Sequence, residues 1–336
     1  MQKILIIQTA FIGDVVLATA IVEKLHNHFP SCSIDFLLRK GNETLLIDHP
    51  FLHEVLVWDK KNRKYRNLLD LLIRIRKTKY DIVINVQRYG ATGILTAFSG
   101  ATKTIGFDKN PFSFLFSNKV KHAGAKNADG QHEIERNLAL VKDITDDNIV
   151  NPRLYPTESD KEKIKAYQQK IYITVSPASV WFTKQYPAEK WISFLNKIPN
   201  NIIVYILGAP QDKYVGETIL RQSTNKNIVS LCGELSFLES CALIEHALIN
   251  YANDSAPLHF ASAMNAPSAA VFCSTIPAFG YGPLSDRRFI IEIQENLYCR
   301  PCGLHGYHSC PEKHFRCALD ISDSQLIAPL NLLKIV

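Results

Sequence analysis

Long apolar runs are the first thing this 336-residue chain lacks. No stretch approaches the roughly 20 residues that span a bilayer. The opening Met1-Gln2-Lys3 leads into only Ile4 to Ile7, too short for a signal-peptide core and without a small-residue cleavage site, so the expected location is cytoplasmic. Short-period repeats and low-complexity segments are also missing. So is the G-x-G-x-x-G fingerprint: the first loop, Thr9-Ala10-Phe11-Ile12-Gly13-Asp14, has one glycine of the three, which removes support for a nicotinamide or flavin cofactor. Charged residues are only 21% of the chain, and 38 Lys+Arg against 32 Asp+Glu leave a mild +6. That balance suits phosphate-bearing or anionic partners without demanding them.

What is present is apolar and periodic. A hydrophobic content of 46% over this length can bury two cores. Short Ile/Val/Leu runs alternate with stretches of helical period, the pattern of parallel strands joined by crossover helices. In the first half the strands are Lys3-Gln8, Ser33-Leu38, Glu54-Trp58, Asp81-Val86 and Thr104-Gly106. Val15-Phe29 puts Leu17, Ile21 and Leu25 on one helical stripe, and Arg66-Lys77 supplies Leu69, Leu72, Ile73 and Ile75 for another. Thr145-Asp160, with Pro152 and Pro156, reads as a linker. The alternation restarts with strands Ile171-Ser176, Ile202-Leu207, Ile228-Leu231, Ile249-Ala252 and Ala269-Cys273 and helices near Ala188-Lys197, Lys213-Gln222, Leu238-Ala247 and Leu258-Met264. The reading is α/β, with two doubly wound domains over 1–150 and 151–322 and a terminal helix in 323–336 that packs back across the junction. Such sheets bind ligands at the carboxyl ends of their strands.

Three loops at those ends carry candidate chemistry. Gly13 and Asp14 stand between the first strand and first helix, where Gly13 allows close backbone approach and free amides favour an anion. Asp14 is open to two readings: an acid that stabilises the helix start, or a carboxylate in the cleft that takes a proton from an attacking hydroxyl. Asn253-Asp254-Ser255-Ala256-Pro257-Leu258-His259 repeats the strand-end, helix-start context, with Asp254 or Ser255 as a cap and Pro257 suited to the first helical position. It is followed by Ser274-Thr275 and Gly280-Tyr281-Gly282-Pro283, so two polar loops lie at adjacent strand ends. In Ser176 to Pro187, Lys184 is either solvated or the cation that meets a departing diphosphate.

Taken in order, Ile12-Gly13-Asp14-Val15-Val16-Leu17, the Asn253 to His259 block and Gly280-Tyr281-Gly282-Pro283 resemble the signature blocks of the ADP-heptose:lipopolysaccharide heptosyltransferases. His132 with Arg136-Asn137-Leu138 and the Lys184 to Pro187 loop extend the likeness over nearly the whole chain. The resemblance implies a GT-B fold of two facing Rossmann-like domains, the first binding the acceptor and the second the ADP-sugar. It implies an inverting glycosyltransferase that needs no metal for catalysis. Carried over by position, Asp14 is the general base and Lys184 the donor-phosphate lysine. Gly13, Asp254, Ser255, Ala256, His259, Thr275 and Gly282 line the donor side. Ala256 departs from the family, which has Gly there, and Gln211-Asp212 lack the acidic ribose-binding pattern. The implied reaction moves heptose from ADP-heptose to a lipopolysaccharide inner-core acceptor. The implied partners are the ADP-sugar, a lipid-linked saccharide and the cytoplasmic face of the inner membrane, with no nucleic acid.

Cys299, Cys302, Cys310 and Cys317 form C-x2-C-x7-C-x6-C with histidines interspersed, a density that in a reducing compartment favours structural zinc over disulfides. The segment then serves as a staple for an apolar-poor loop. Cys32, Cys232, Cys241 and Cys273 lie in apolar stretches and read as small hydrophobes. Two alternatives stay open: a transferase of the same fold using another nucleotide sugar, and a zinc-containing nucleic-acid-binding module. The second asks for a clustered basic face. The dense basic stretch, Lys60 to Arg66 with Arg74, Arg76, Lys77 and Lys79, better suits phosphorylated sugars or an anionic membrane.

Overall fold

The computed structural model describes residues 1–123 and 130–335. Its contacts divide the chain into two compact units that part after Tyr155.

Unit 1 runs β1 (Lys3–Ile7), α1 (Ile12–His28), β2 (Ser33–Arg39), β3 (Glu54–Trp58), α2 (Lys64–Thr78), β4 (Ile82–Asn85), α3 (Gly90–Ala97), β5 (Lys103–Phe107), β6 (Asn118–Val120) and α4 (Glu133–Ala139). The strands form one parallel six-stranded sheet in the order β3-β2-β1-β4-β5-β6. β1 is central because Ile4 to Ile7 are fully buried on both faces, as a strand covered by helices on each side must be. Leu17, Ile21 and Leu25 of α1 are buried as their spacing predicts. In α2 the buried edge is Leu68, Leu71 and Ile75, packed with Leu5, Ile7 and Trp58, whereas Leu69 and Ile73 of the expected stripe are exposed because they project from the opposite side of the helix.

Unit 2 runs α5 (Glu158–Ile164), β7 (Tyr172–Ser176), α6 (Ala188–Leu195), β8 (Ile203–Ile206), α7 (Lys213–Gln222), β9 (Ile228–Ser230), α8 (Phe237–Glu245), β10 (Asn250–Asn253), α9 (Ala256–Ala263), β11 (Ser268–Phe272), β12 (Arg288–Glu292), α10 (Arg316–Leu319) and α11 (Asp323–Leu332). Its sheet is again parallel, β12-β11-β10-β7-β8-β9. Counted within each unit the two orders are the same, so each sheet reverses direction beside its first strand. Loops leaving the strands on either side of that switch point diverge and open a crevice at the carboxyl ends. In unit 1 the flanking strands are β1 and β4, in unit 2 β7 and β10.

The doubly wound α/β expectation holds, and the departures are local. Thr157 and Asp160 cap each other's backbone amides and start α5 inside the stretch expected to be a linker. The residues before it are tied down: the Arg153 amide donates to Thr19 Oγ1 at 3.0 Å, and Tyr155 Oη donates to Glu23. β6 and β12 are edge strands that the apolar pattern does not signal. The terminal helix α11 packs on α6 and β12 of its own unit, with Tyr251 Oη donating to the Leu326 carbonyl at 2.7 Å; Val336 lies outside the described residues.

Candidate functional site

Each unit places polar and charged groups at its own switch point. In unit 1, Gly13 and Asp14 occupy the first turn of α1, which no side chain caps. Thr9 Oγ1 donates to Gln87 Oε1 at 2.6 Å, joining the loops after β1 and β4. Two cations stand on the loops of the neighbouring strands. The Arg39 guanidinium lies 4.7 Å from the centroid of Phe11 and close enough to feel the Asp14 charge. Lys60 Nζ donates to the Thr9 carbonyl at 2.6 Å and sits over Trp58. Desolvation, then repulsion from Arg39, pulls the Lys60 ammonium down to about 8. Sequence reasoning did not single out Arg39 or Gln87, since only the sheet order brings the ends of β2 and β4 beside the Asp14 loop.

In unit 2 three candidates chosen from separate loops converge. Lys184 Nζ pairs with Asp254 Oδ2 at 2.7 Å, with both side chains largely buried, and Thr275 Oγ1 donates to the same oxygen at 2.6 Å. Lys184 closes the short turn after β7, Asp254 follows β10, and Thr275 follows β11. Parallel register places these three exits side by side. The frame beneath them is a set of buried polar contacts. Asn253, fully buried, donates through Nδ2 to the Pro177 carbonyl at 2.7 Å and accepts the Tyr186 amide at 3.1 Å, fixing both ends of the Lys184 loop. Ser274 Oγ donates to Thr183 Oγ1 at 3.0 Å, and Thr183 Oγ1 also accepts the Tyr307 amide at 2.8 Å.

The start of α9 differs from the expectation. Asp254 is turned to Lys184, Ser255 Oγ donates back to the Asn253 carbonyl at 3.3 Å, and no side chain caps the helix. Neither expected cap forms, because both side chains have nearer partners. Ala256 is the first residue of α9 and Pro257 the second, one place later than predicted. His259 is buried one turn on and meets the Tyr281 ring at 6.4 Å. Gly282 stands in the loop after β11 with ordinary room for a Cβ, 3.6 Å from Pro277; the glycine the backbone requires there is Gly280, at φ 93°. Asp212 accepts the Ala209 amide at 2.8 Å and so serves its own turn.

The four cysteines lie near one another, since Cys302, Cys310 and Cys299 all add to the rise of the Cys317 thiol. Among the described residues no three His, Cys, Asp or Glu side chains are grouped to hold an ion. Cys317 is buried in the unit 2 core with Phe315 and Ile321, where desolvation, and then the charges of Cys302 and Cys310, push its thiol up to about 12. Cys302 Sγ is turned to the Cys299 carbonyl at 3.1 Å, while Cys299 Sγ faces His314 Nε2 at 3.7 Å. The segment also braces the site. Arg300 Nε donates to the Cys273 carbonyl at 2.7 Å, and one of its terminal nitrogens reaches both the Thr275 carbonyl at 2.8 Å and Glu292 at 2.5 Å. The Cys302 amide donates to the Ser274 carbonyl at 2.8 Å. Gly306, at φ 76°, lies so close to Thr183 and Lys184 that a Cβ would fall 2.9 Å from Thr183 Oγ1. Arg300, hidden among cysteines, carried no signal of this role in the sequence.

Comparison with known proteins gives the family and the fold. The model of glycosyltransferase family 9 (heptosyltransferase) matches residues 68–307. The chain is similar to lipopolysaccharide heptosyltransferase 3 of Escherichia coli, 25% identical over 279 residues that cover 79% of this chain and 82% of that one. Its fold matches E. coli ADP-heptose LPS heptosyltransferase II with a TM-score of 0.82 at 20% identity, over 99% of both chains. It also matches a glycosyltransferase family 9 protein of Veillonella parvula with a TM-score of 0.86 at 18% identity, over 99% and 97%.

Proposed function

Because the chain belongs to glycosyltransferase family 9, the heptosyltransferases, with a GT-B fold of two Rossmann-like units, we propose that it transfers heptose from ADP-heptose to a lipopolysaccharide inner-core acceptor. The observation that carries the site assignment is the Lys184–Asp254–Thr275 cluster at the uncapped start of α9. Similar proteins named for ADP-heptose and for lipopolysaccharide support this choice of donor and acceptor.

In this reading the ADP diphosphate lies at the start of α9, where backbone amides and the helix dipole favour an anion. Lys184 opposes the negative charge that grows as the bond from the anomeric carbon to the diphosphate breaks. Asp254 and Thr275 hold the lysine in place, and Ala256 offers its amide despite the added methyl. Asp14 takes the proton from the acceptor hydroxyl as that oxygen attacks the anomeric carbon. The electron pair of the broken bond leaves with ADP, and the configuration inverts. Arg39 and Lys60 supply positive charge beside Asp14, which suits an acceptor bearing phosphate or carboxylate. The catalytic groups are all side chains and amides of the protein, and the cysteine segment enters only by supporting the Lys184 and Thr275 loops.

Paired variants test these roles. Asp14→Asn should lower kcat by about a hundred- to ten-thousand-fold while ADP affinity stays near wild type. Lys184→Ala should weaken ADP binding and lower kcat together, since its charge is felt in both ground and transition states. Near wild-type turnover in Asp14→Asn removes it as base. An unchanged kcat/KM for the donor in Lys184→Ala returns that lysine to a solvated role.

A further inference from the structure

We propose that Thr183, clasped by the strap 306–308, is a positioning residue that holds Lys184 for donor transfer, on the reading that Lys184 meets the donor diphosphate. A lysine loses the freedom of several side-chain bonds when it is fixed, and pairing with Asp254 restrains only its head. Its backbone lies in a single 3-10 turn, Phe182–Lys184, a short element that holds itself weakly. Thr183 anchors that turn. Val180 and Phe182 are 70% and 46% exposed, whereas Thr183 is 1% exposed. Its amide, carbonyl and hydroxyl are all engaged. The amide donates to the Tyr307 carbonyl at 3.1 Å, the carbonyl accepts the Ser274 amide at 3.2 Å, and the hydroxyl oxygen accepts both the Tyr307 amide and the Ser274 hydroxyl. One buried residue thus joins the exits of β7 and β11 to the strap.

The strap follows the lysine turn residue by residue. The His308 ring lies 4.7 Å from the ring of Trp181, Tyr307 pairs with Thr183, and a Cβ on Gly306 would stand 3.2 Å from Lys184 Cγ. Gly306 combines this close approach with a left-handed backbone, so glycine is needed there on both counts. From 303 to 309 every residue but Leu304 and Gly306 is exposed. The segment therefore shields little core, and its one buried residue turns toward Thr183 and Lys184. The hydroxyl at position 183 has a chemical reason. Valine has nearly the same shape but accepts nothing, so the buried Ser274 hydroxyl and the Tyr307 amide would lose this partner. With the strap released, the Lys184 ammonium would shift from the place where the leaving charge grows. A misplacement of about 1 Å can cost a hundredfold in rate.

A double-mutant cycle in the full chain tests this through donor kcat/KM, acceptor KM and ADP affinity. Thr183→Val should lower donor kcat/KM by about ten- to a hundredfold and weaken ADP binding, with acceptor KM at the wild-type value. Thr183→Ser keeps the oxygen and should recover most of the loss. In a Lys184→Ala background, Thr183→Val should change neither donor kcat/KM nor ADP affinity, because a residue that acts through Lys184 has nothing left to act on. The unmet donors also lower the melting temperature of Thr183→Val, so rates are read well below it. Gly306→Ala, which keeps the hydroxyl but pushes the strap away, should give the same loss and the same silence without Lys184, and it carries the test if Thr183→Val does not fold. Wild-type donor kinetics in a folded Thr183→Val or Gly306→Ala chain, or an equal loss with and without Lys184, would overturn the proposal and leave the donor assignment standing. Wild-type donor kinetics in Lys184→Ala alone would overturn both.

Discussion

Lys184, Asp254 and Thr275 stand out in the sequence for one reason each: a cation in a strand-end loop, an acid before a helix, a hydroxyl after a strand. That they meet around one carboxylate oxygen is not visible there, because convergence depends on which strands are neighbours. Asn253 shows the opposite limit. As a polar residue ending a strand it looks like part of a turn, yet it is fully buried and ties Pro177 to Tyr186. His49 offers a test at this scale. Burial, and then the charge of His26, push its pKa from 6.5 down to about 4. Between these values the unfolded chain binds a proton that the folded chain refuses, so stability falls as pH drops through the window. The full effect is on the order of 3 kcal/mol. Glu23, whose Oε1 is 3.8 Å from His49 Nε2, is itself raised by desolvation and acts in the opposite sense, so variant and wild type must be compared at each pH. His49→Gln should lose about 2 kcal/mol less than wild type between pH 7 and 4.5 in denaturant titrations. Parallel curves would show that His49 is not the titrating group.

At the scale of elements, the buried strands were legible because continuous apolar runs announce them, and the edges were not. β12 alternates exposed and buried residues and opens on charged Arg288, while β6 is only three residues long. α5 was hidden in a polar stretch whose signal was a capping box rather than an apolar stripe. The cysteine segment is a related case: spacing alone does not tell whether a thiol faces a metal or the core, and Cys317 is buried among core residues. Its contribution to the site runs through Arg300, which holds the carbonyls of Cys273 and Thr275 and pairs with Glu292. Arg300→Ala should leave these acceptors unmet and cost about 1–3 kcal/mol in stability. Because Thr275 steadies the Asp254–Lys184 pair, donor KM should rise about tenfold with a smaller change in kcat, and Arg300→Lys should restore part of the loss. Thermal denaturation and initial rates measure both. A drop in stability with unchanged donor KM would confine Arg300 to a structural role.

For the molecule as a whole, two sheets of the same strand order put a base candidate at the switch point of one unit and a cation with an uncapped helix at that of the other. The sequence carried this plan in the position of its loops, each directly after an apolar strand and before a helix. It also carried the family through Gly13-Asp14 and the Asn253 to His259 block. The choice of nucleotide lies with loops whose contacts to a base cannot be deduced from spacing, so ADP as the nucleotide is the proposed part of the account. Calorimetric titration of the purified chain with ADP, UDP, GDP and CMP therefore tests the central claim most directly. The account predicts saturable binding of ADP, weakened by Lys184→Ala and kept in Asp14→Asn, with the other three nucleotides at least tenfold weaker. Preference for UDP, GDP or CMP, or ADP binding indifferent to Lys184, would contradict it.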